Sequence, residues 1–418
     1  MAIETHPSTT ANSTGTAERA LVETQQTACC IVGGGPAGMV LGLLLARRGV
    51  DVTVVEQHED FDRDFRGDTV HPSTLRIMDE VGLADRLMLV PHTKMHTMTF
   101  ESSHGPVTMA DFRRLKTRFP FVMMLPQVHF LEFLAEEARR FPSFHLVMDA
   151  PVQELVREGG AVRGVRYRGS DGFHEVRAEL VVGADGRFSK VRQLAGIEQV
   201  KTSPPMDVLW FRLPRRPDEG HGVMGRIAHK HMAVTLDRGD TWQVAYVIPK
   251  GSYKQLHEAG IEALRKGIVE IVPFLADRVD QLTDWKQVAL LSVESGRAKR
   301  WYESGLLLIG DAAHVMSPVG GVGINYAVQD AVVAANVLTK PLLERRLTTG
   351  DLASVQRRRE WPTRIIQGIQ TAIQQQIVSG ALSTEGELQI PLPLRWPIVR
   401  DIPARIMGFG VWPVHVRN

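Results

Sequence analysis

Gly33, Gly35 and Gly38 stand between a short apolar run, 29–32, and a stretch of helix formers with an apolar face, 39–48. Gly49 follows where a helix C-cap belongs, and 51–55 is a second apolar run closed by Glu56. This is a compact β-α-β unit with G-x-G-x-x-G at its first turn. The first glycine permits the tight turn. The second lets main chain approach a pyrophosphate, and the third allows the helix to pack close to the strand. An anion then rests on a helix N-terminus, where free N–H groups and the helix dipole favour it. Glu56 is placed to accept a hydrogen bond from a ribose hydroxyl. We therefore expect Gly33, Gly35, Pro36, Ala37, Gly38, Glu56 and Gln57 to line a dinucleotide site. The competing reading is a glycine turn in an unrelated α/β fold.

A chain of 418 residues is long for one simple core and suggests two domains. Hydrophobic residues make up 44% and charged residues 23%, ordinary globular values that allow a sizeable core. The formal net charge of +2 argues against a nucleic-acid binder, which shows a concentrated basic excess. Cys29 and Cys30 are the two cysteines and are adjacent, so no disulfide framework or cysteine zinc site is expected. A reducing, cytoplasmic setting fits this usage. No apolar stretch reaches the roughly 18 residues of a spanning helix, so no integral membrane contact is expected.

Order is expected to begin at Ala28, with 1–27 as a disordered tail. Residues 28–90, 121–200 and 287–350 should form one discontinuous α/β unit. The strand-like runs in 91–120 and 201–286 alternate as an antiparallel sheet does, and should form a second unit. The remainder, 351–418, reads as helical at first and then irregular.

Two further apolar runs end in an acidic motif: 180–182 before Gly183, Ala184, Asp185 and Gly186, and 306–309 before Gly310, Asp311, Ala312, Ala313 and His314. An acid just past such a strand sits at the usual ligand edge of an open α/β sheet. Singly, each also reads as an Asp capping a helix. The second motif continues through Pro318, Gly321, Gly323 and Asn325. That run resembles the G-D-A-A-H-x-x-x-P-x-x-G-x-G-x-N signature of the class A flavoprotein monooxygenases, the para-hydroxybenzoate hydroxylase family. With the two glycine motifs before it, the likeness covers about 28–345.

The resemblance implies a Rossmann-like FAD-binding domain carrying an inserted, mainly antiparallel sheet for the substrate, and a C-terminal helical segment. It implies that Asp311 binds the ribityl chain and that Pro318, Gly320, Gly321, Val322, Gly323, Ile324 and Asn325 lie against the isoalloxazine ring. Arg66 matches an arginine that reaches back to FAD, and Gln127 a glutamine near the pyrophosphate and ribityl. Asp185 matches a motif associated with both FAD and the nicotinamide donor, continued by Ser189 and Arg192, with a structural ion pair as the other reading of Arg192. The implied cycle has NADH or NADPH reduce FAD, oxygen add at C4a, and the resulting hydroperoxyflavin transfer one oxygen to an electron-rich aromatic or polyketide-like substrate. No metal is needed, and His314 reads as packed beside the flavin loop. The alternatives are a flavin oxidoreductase without oxygen insertion and a flavin-binding protein that has lost turnover. Halogenases of similar build carry W-x-W-x-I-P, from which this chain departs at Val244 and Tyr246.

The implied partners are the small molecule and O2, with a homodimer allowed. Trp210, Met232, Tyr246 and Met98 are candidates for lining the substrate face, and plain core is the competing reading of each. Tyr246 is our one candidate for a polar substrate contact.

Overall fold

The computed structural model describes residues 21–62, 68–102, 105–219, 222–228, 231–382 and 401–417. Its first element is β1 (Leu21–Val32), followed by helix α1 (Pro36–Ala46) and β2 (Val52–Val55). β1 pairs in parallel with β2 on one side and with the strand Phe173–Gly183 on the other. The parallel core extends to Phe144–Val147 beyond β2, and to Leu306–Leu308 beyond Phe173–Gly183. Where its central strands cross the middle of the sheet, at 29–32, 52–55 and 180–183, every position is buried because both faces are covered. α1 is buried at all positions from Ala37 to Ala46 and lies with helix Gly323–Leu343 on one face. Trp301 and the antiparallel strands Val152–Glu158 and Ala161–Arg168 help cover the other face.

The expected start of order at Ala28 is corrected here: β1 begins at Leu21. The segment 21–27 is mostly polar and outward-facing, with even Leu21 and Val22 exposed, so periodicity gave no sign of it. It is held by the ladder to Phe173–Gly183 and by Thr27 Oγ1, which donates to the Asp51 carbonyl at 3.0 Å. Residues 1–20 lie outside the described residues.

A second sheet of seven strands is antiparallel except where Val223–Ala228 meets Thr97–Ser102. It takes in Gly105–Asp111, Met206–Pro214, His231–Asp237 and Thr241–Pro249. Ala289–Leu291 closes one edge, so the second sheet runs a few residues past the expected boundary at 286. Helix Ile261–Ile271 covers one face. The fold is thus a Rossmann-like parallel sheet, an antiparallel second sheet and C-terminal helices.

The long helix Thr349–Leu382 runs beside Gly323–Leu343. A short helix, Asp401–Phe409, then packs over the second sheet, with Ala404 and Met407 among Met98, Val234 and Leu236. The chain beyond it is tied down on the first unit, where the Val416 N–H donates to Glu80 Oε2 at 2.8 Å. Among the described residues, no helix is long and apolar enough to cross a membrane.

Candidate functional site

The turn between β1 and α1 fits its glycines for separate steric reasons. Gly33 has φ +109°, and a Cβ there would lie 2.4 Å from the Ala184 carbonyl oxygen. A Cβ at Gly38 would lie 1.9 Å from the Gly33 carbonyl oxygen. At Gly35, the N-cap of α1, a Cβ would meet nothing within 4 Å. Pro36 supplies the first helical residue, where a missing N–H costs nothing, and Ala37 is buried behind it. The result is an open helix N-terminus with room at Gly35 for a diphosphate, so the residues fit the pyrophosphate of FAD. Glu56, buried beside this turn, accepts the Gly34 N–H at 2.7 Å and faces His58 Nδ1 at 2.5 Å. Gln57 is exposed next to it. Arg66 lies outside the described residues.

Gln127 is the first residue of helix Gln127–Ala138, and its N–H donates to Asp68 Oδ1 at 3.2 Å. Asp68 Oδ2 takes Arg238 Nη2 at 2.5 Å, so one carboxylate ties the first unit to the second sheet. Burial pushes the Asp68 carboxyl up, against the pull of Arg238.

Asp185 accepts the Ser189 hydroxyl at 2.5 Å and the Val191 N–H at 2.9 Å, and so braces the first turn of helix Lys190–Leu194, whose N-cap is Ser189. Burial raises its carboxyl above the ordinary value, with the Ser189 bond opposing. Arg192 donates to the Ala312 carbonyl at 2.8 Å and so joins this motif to the one carrying Asp311. The turn Gly310–Ala312 is anchored in turn by Asp330, whose Oδ2 accepts the Gly310 N–H at 3.0 Å. The same carboxylate meets His314 Nε2 at 2.6 Å and Arg359 Nε at 2.7 Å, all three side chains being fully enclosed. Burial alone would raise the Asp330 carboxyl. The facing His314 and Arg359 outweigh it and hold it low. His314 is therefore a buried partner of Asp330, with its ring 4.9 Å from Trp301.

Pro318 caps the turn Val319–Gly321, in which Gly320 has φ +80°. Val322 then caps helix Gly323–Leu343, and Ile324 is half-buried in its first turn. Asn325 is fully buried; its Oδ1 accepts from the Ser73 hydroxyl and from Thr74 Oγ1 at 3.4 Å. The Gly321 carbonyl accepts from Thr69 Oγ1 at 3.2 Å and faces His71 Nε2 at 3.0 Å. His71 Nδ1 faces the Met407 carbonyl at 2.8 Å. From below, Gln370 Nε2 donates to the carbonyls of Ser317 at 2.9 Å and Val319 at 2.8 Å. Gln374 donates to the Ser317 hydroxyl, and Gln367 to the carbonyls of Gly296 and Val315, each at 3.0 Å. Sequence reasoning missed His71, Met407 and the three glutamines. The spacing 367, 370, 374, one polar stripe on a helix that reads as tail, was the available signal.

The structure places Tyr246 away from this loop. Its ring packs with Leu264 and Ile268 under helix Ile261–Ile271, and a Cβ at Gly267 would lie 2.4 Å from its hydroxyl oxygen. The opposite face of the sheet carries Met98, Trp210, Met232, Val234, Leu236 and Val247. Met407 joins that face to the loop, since a Cβ on Gly320 would lie 3.9 Å from it. Of the four lining candidates, Trp210, Met232 and Met98 lie on the loop side and Tyr246 does not.

Residues 26–368 match the FAD binding domain family. Over 396 residues the chain is 36% identical to 6-methylpretetramide 4-monooxygenase of Streptomyces rimosus, covering 93% of this chain and 94% of that protein. Among solved structures, the P. aeruginosa PqsL complex with 2-aminobenzoylacetate superposes with a TM-score of 0.74 at 21% identity, over 85% of this chain and 97% of that one. The OxyS anhydrotetracycline hydroxylase from Streptomyces rimosus gives 0.71 at 22% identity, over 92% and 76%. The fold and the family agree, and this chain belongs to the FAD-binding class A flavin monooxygenases, enzymes of the aromatic-hydroxylase type.

Proposed function

We propose that this FAD-dependent aromatic or polyketide monooxygenase uses NADH or NADPH and O2 to hydroxylate a flat, multi-ring phenolic polyketide. One observation carries the reading. The loop 317–323 and the N-terminus of helix Gly323–Leu343 meet an apolar sheet face through the helix Asp401–Phe409. Bound FAD supplies the electron transfer and the activation of oxygen. The chain's own residues hold and orient it. The α1 N-terminus with Gly35 takes the pyrophosphate, Glu56 the ribose, and Asp311 the ribityl chain. Pro318, Gly320, Gly321, Val322, Gly323, Ile324 and Asn325 face the ring.

The substrate class is supported by the lining. Met98, Trp210, Met232, Val234, Leu236 and Val247 offer an apolar, partly aromatic surface suited to fused rings. The relative that shares 36% of its residues is named for a substrate of that kind, 6-methylpretetramide. Burying the substrate against this face also keeps water from the reacting edge.

The test is a visible spectrum of the purified protein, then anaerobic mixing with NADH or NADPH across a panel of phenols and aromatic polyketides. Turnover under labelled dioxygen follows. The reading expects a yellow protein, reduction accelerated by one compound class, and label in the product. A protein that takes up FAD and oxidises the nicotinamide while its organic product carries no label would instead be an oxidoreductase without oxygen insertion.

A further inference from the structure

The long helix Thr349–Leu382 turns three glutamines, Gln367, Gln370 and Gln374, toward the loop. All three are buried, and each donates its amide N–H groups to the segment 315–319 or its immediate neighbour Gly296. Gln370 has the most telling geometry. Its single Nε2 serves the carbonyls of Ser317 and Val319, at 2.9 and 2.8 Å, and so spends both of its hydrogens on the loop. Its Oε1 is enclosed with no hydrogen-bond partner among the described residues. A buried acceptor left unpaired is costly, so the side chain is kept for what it donates.

A trans peptide is planar, with its N–H pointing opposite its C=O. Fixing the Val319 carbonyl on Gln370 therefore turns the Gly320 N–H away from the long helix. The next clamp acts from another side. The Gly321 carbonyl is held by Thr69 and faced by His71, which turns the Val322 N–H away from them. Two peptide planes of the loop thus have their directions set by side chains from outside it.

We propose that Gln370, supported by Gln374, is a positioning residue that aims the loop's main-chain N–H groups at the flavin ring and thereby favours the reduced state of bound FAD. This rests on the reading above that 318–325 faces the ring. Reduction adds negative charge to the ring, and fixed N–H dipoles aimed at it bind the reduced form more tightly than the oxidised one. Loosening one plane lowers that preference and leaves oxidised FAD nearly as well held, because the pyrophosphate and ribose contacts lie elsewhere.

The experiment is a redox titration of bound FAD against a reference dye, with visible spectra, on the FAD-loaded wild type and on Gln370→Met, Gln374→Met and Ile365→Ala. Gln370→Met keeps the length of the side chain and removes both donated bonds. It is expected to cut the ratio of reduced to oxidised FAD affinity by roughly tenfold, with a perturbed flavin band and oxidised-FAD affinity within about threefold. Gln374→Met, which loses the contact to the Ser317 hydroxyl, shifts the ratio in the same direction by less, and carries the test if Gln370→Met folds poorly. Ile365→Ala, on the exposed side of the same helix, leaves it unchanged. An unaltered potential and spectrum in yellow, folded Gln370→Met and Gln374→Met would overturn this proposal and leave the flavin reading standing. A wild type that takes up no FAD would overturn both.

Discussion

His71 bridges two segments far apart in the chain: its Nε2 lies 3.0 Å from the Gly321 carbonyl oxygen and its Nδ1 lies 2.8 Å from that of Met407. A neutral imidazole has one N–H, so it donates to one carbonyl and turns a lone pair to the other. Burial nevertheless pushes its pKa from 6.5 down to about 4, although both carbonyls favour the charged form.

The sign of the pH effect follows. Between about 4 and 6.5 the unfolded chain binds a proton at residue 71 that the folded chain does not. His71 therefore costs stability as pH falls through 6.5, by up to about 3 kcal/mol near 4, an order-of-magnitude figure. Urea unfolding at pH 7 and pH 5 should show His71→Asn losing less stability across that interval than the wild type. Equal losses in the two proteins would remove His71 from the account.

The first turn separates folding from cofactor binding. Gly38→Ala drives a methyl into the Gly33 carbonyl and should cost more than 2 kcal/mol, seen as a lowered Tm. Gly35→Val has open space for its side chain, so the protein should fold, but the side chain occupies the place of the pyrophosphate. Its FAD affinity, read by visible absorbance on titration, should fall by at least about tenfold.

Asp330 joins three groups that have no access to water. Asp330→Ala leaves Arg359 buried without its carboxylate and releases the Gly310 N–H, and should cost roughly 3–5 kcal/mol. Calorimetry of the FAD-free protein would check this apart from any effect on cofactor affinity.

The two faces of the second sheet should respond differently in kinetics. Tyr246→Phe removes a hydroxyl that packs over Gly267, and kcat/KM should stay within about twofold. Trp210→Ala opens the loop-side face, and kcat/KM for the aromatic substrate should fall by roughly tenfold or more, mostly through KM.

What the sequence made legible was what is local in it. Gly33, Gly38 and Glu56 are close in the chain, and their places at the first turn follow from chain geometry alone. Gly310 through Asn325 likewise carries its own turn and helix start. The partners of that loop were not legible. Gln370 meets Ser317 across 53 residues and His71 meets Met407 across 336, and no spacing rule spans such gaps. Period-two alternation put Trp210 and Tyr246 in strands without saying which face each would take. The register of Leu209 against Tyr246 and of Trp210 against Ala245 decides it. The polar start of β1 was hidden because its stability comes from the distant strand Phe173–Gly183.

The Met407 contact also bears on how the protein comes into being during translation. Both sheets are made from residues that leave the ribosome before residue 407 does. A nascent chain can thus assemble its nucleotide-binding scaffold while the far side of the His71 bridge has yet to be synthesised. Pigment acquired on the ribosome and pigment acquired after it would then reflect two differently braced versions of one loop.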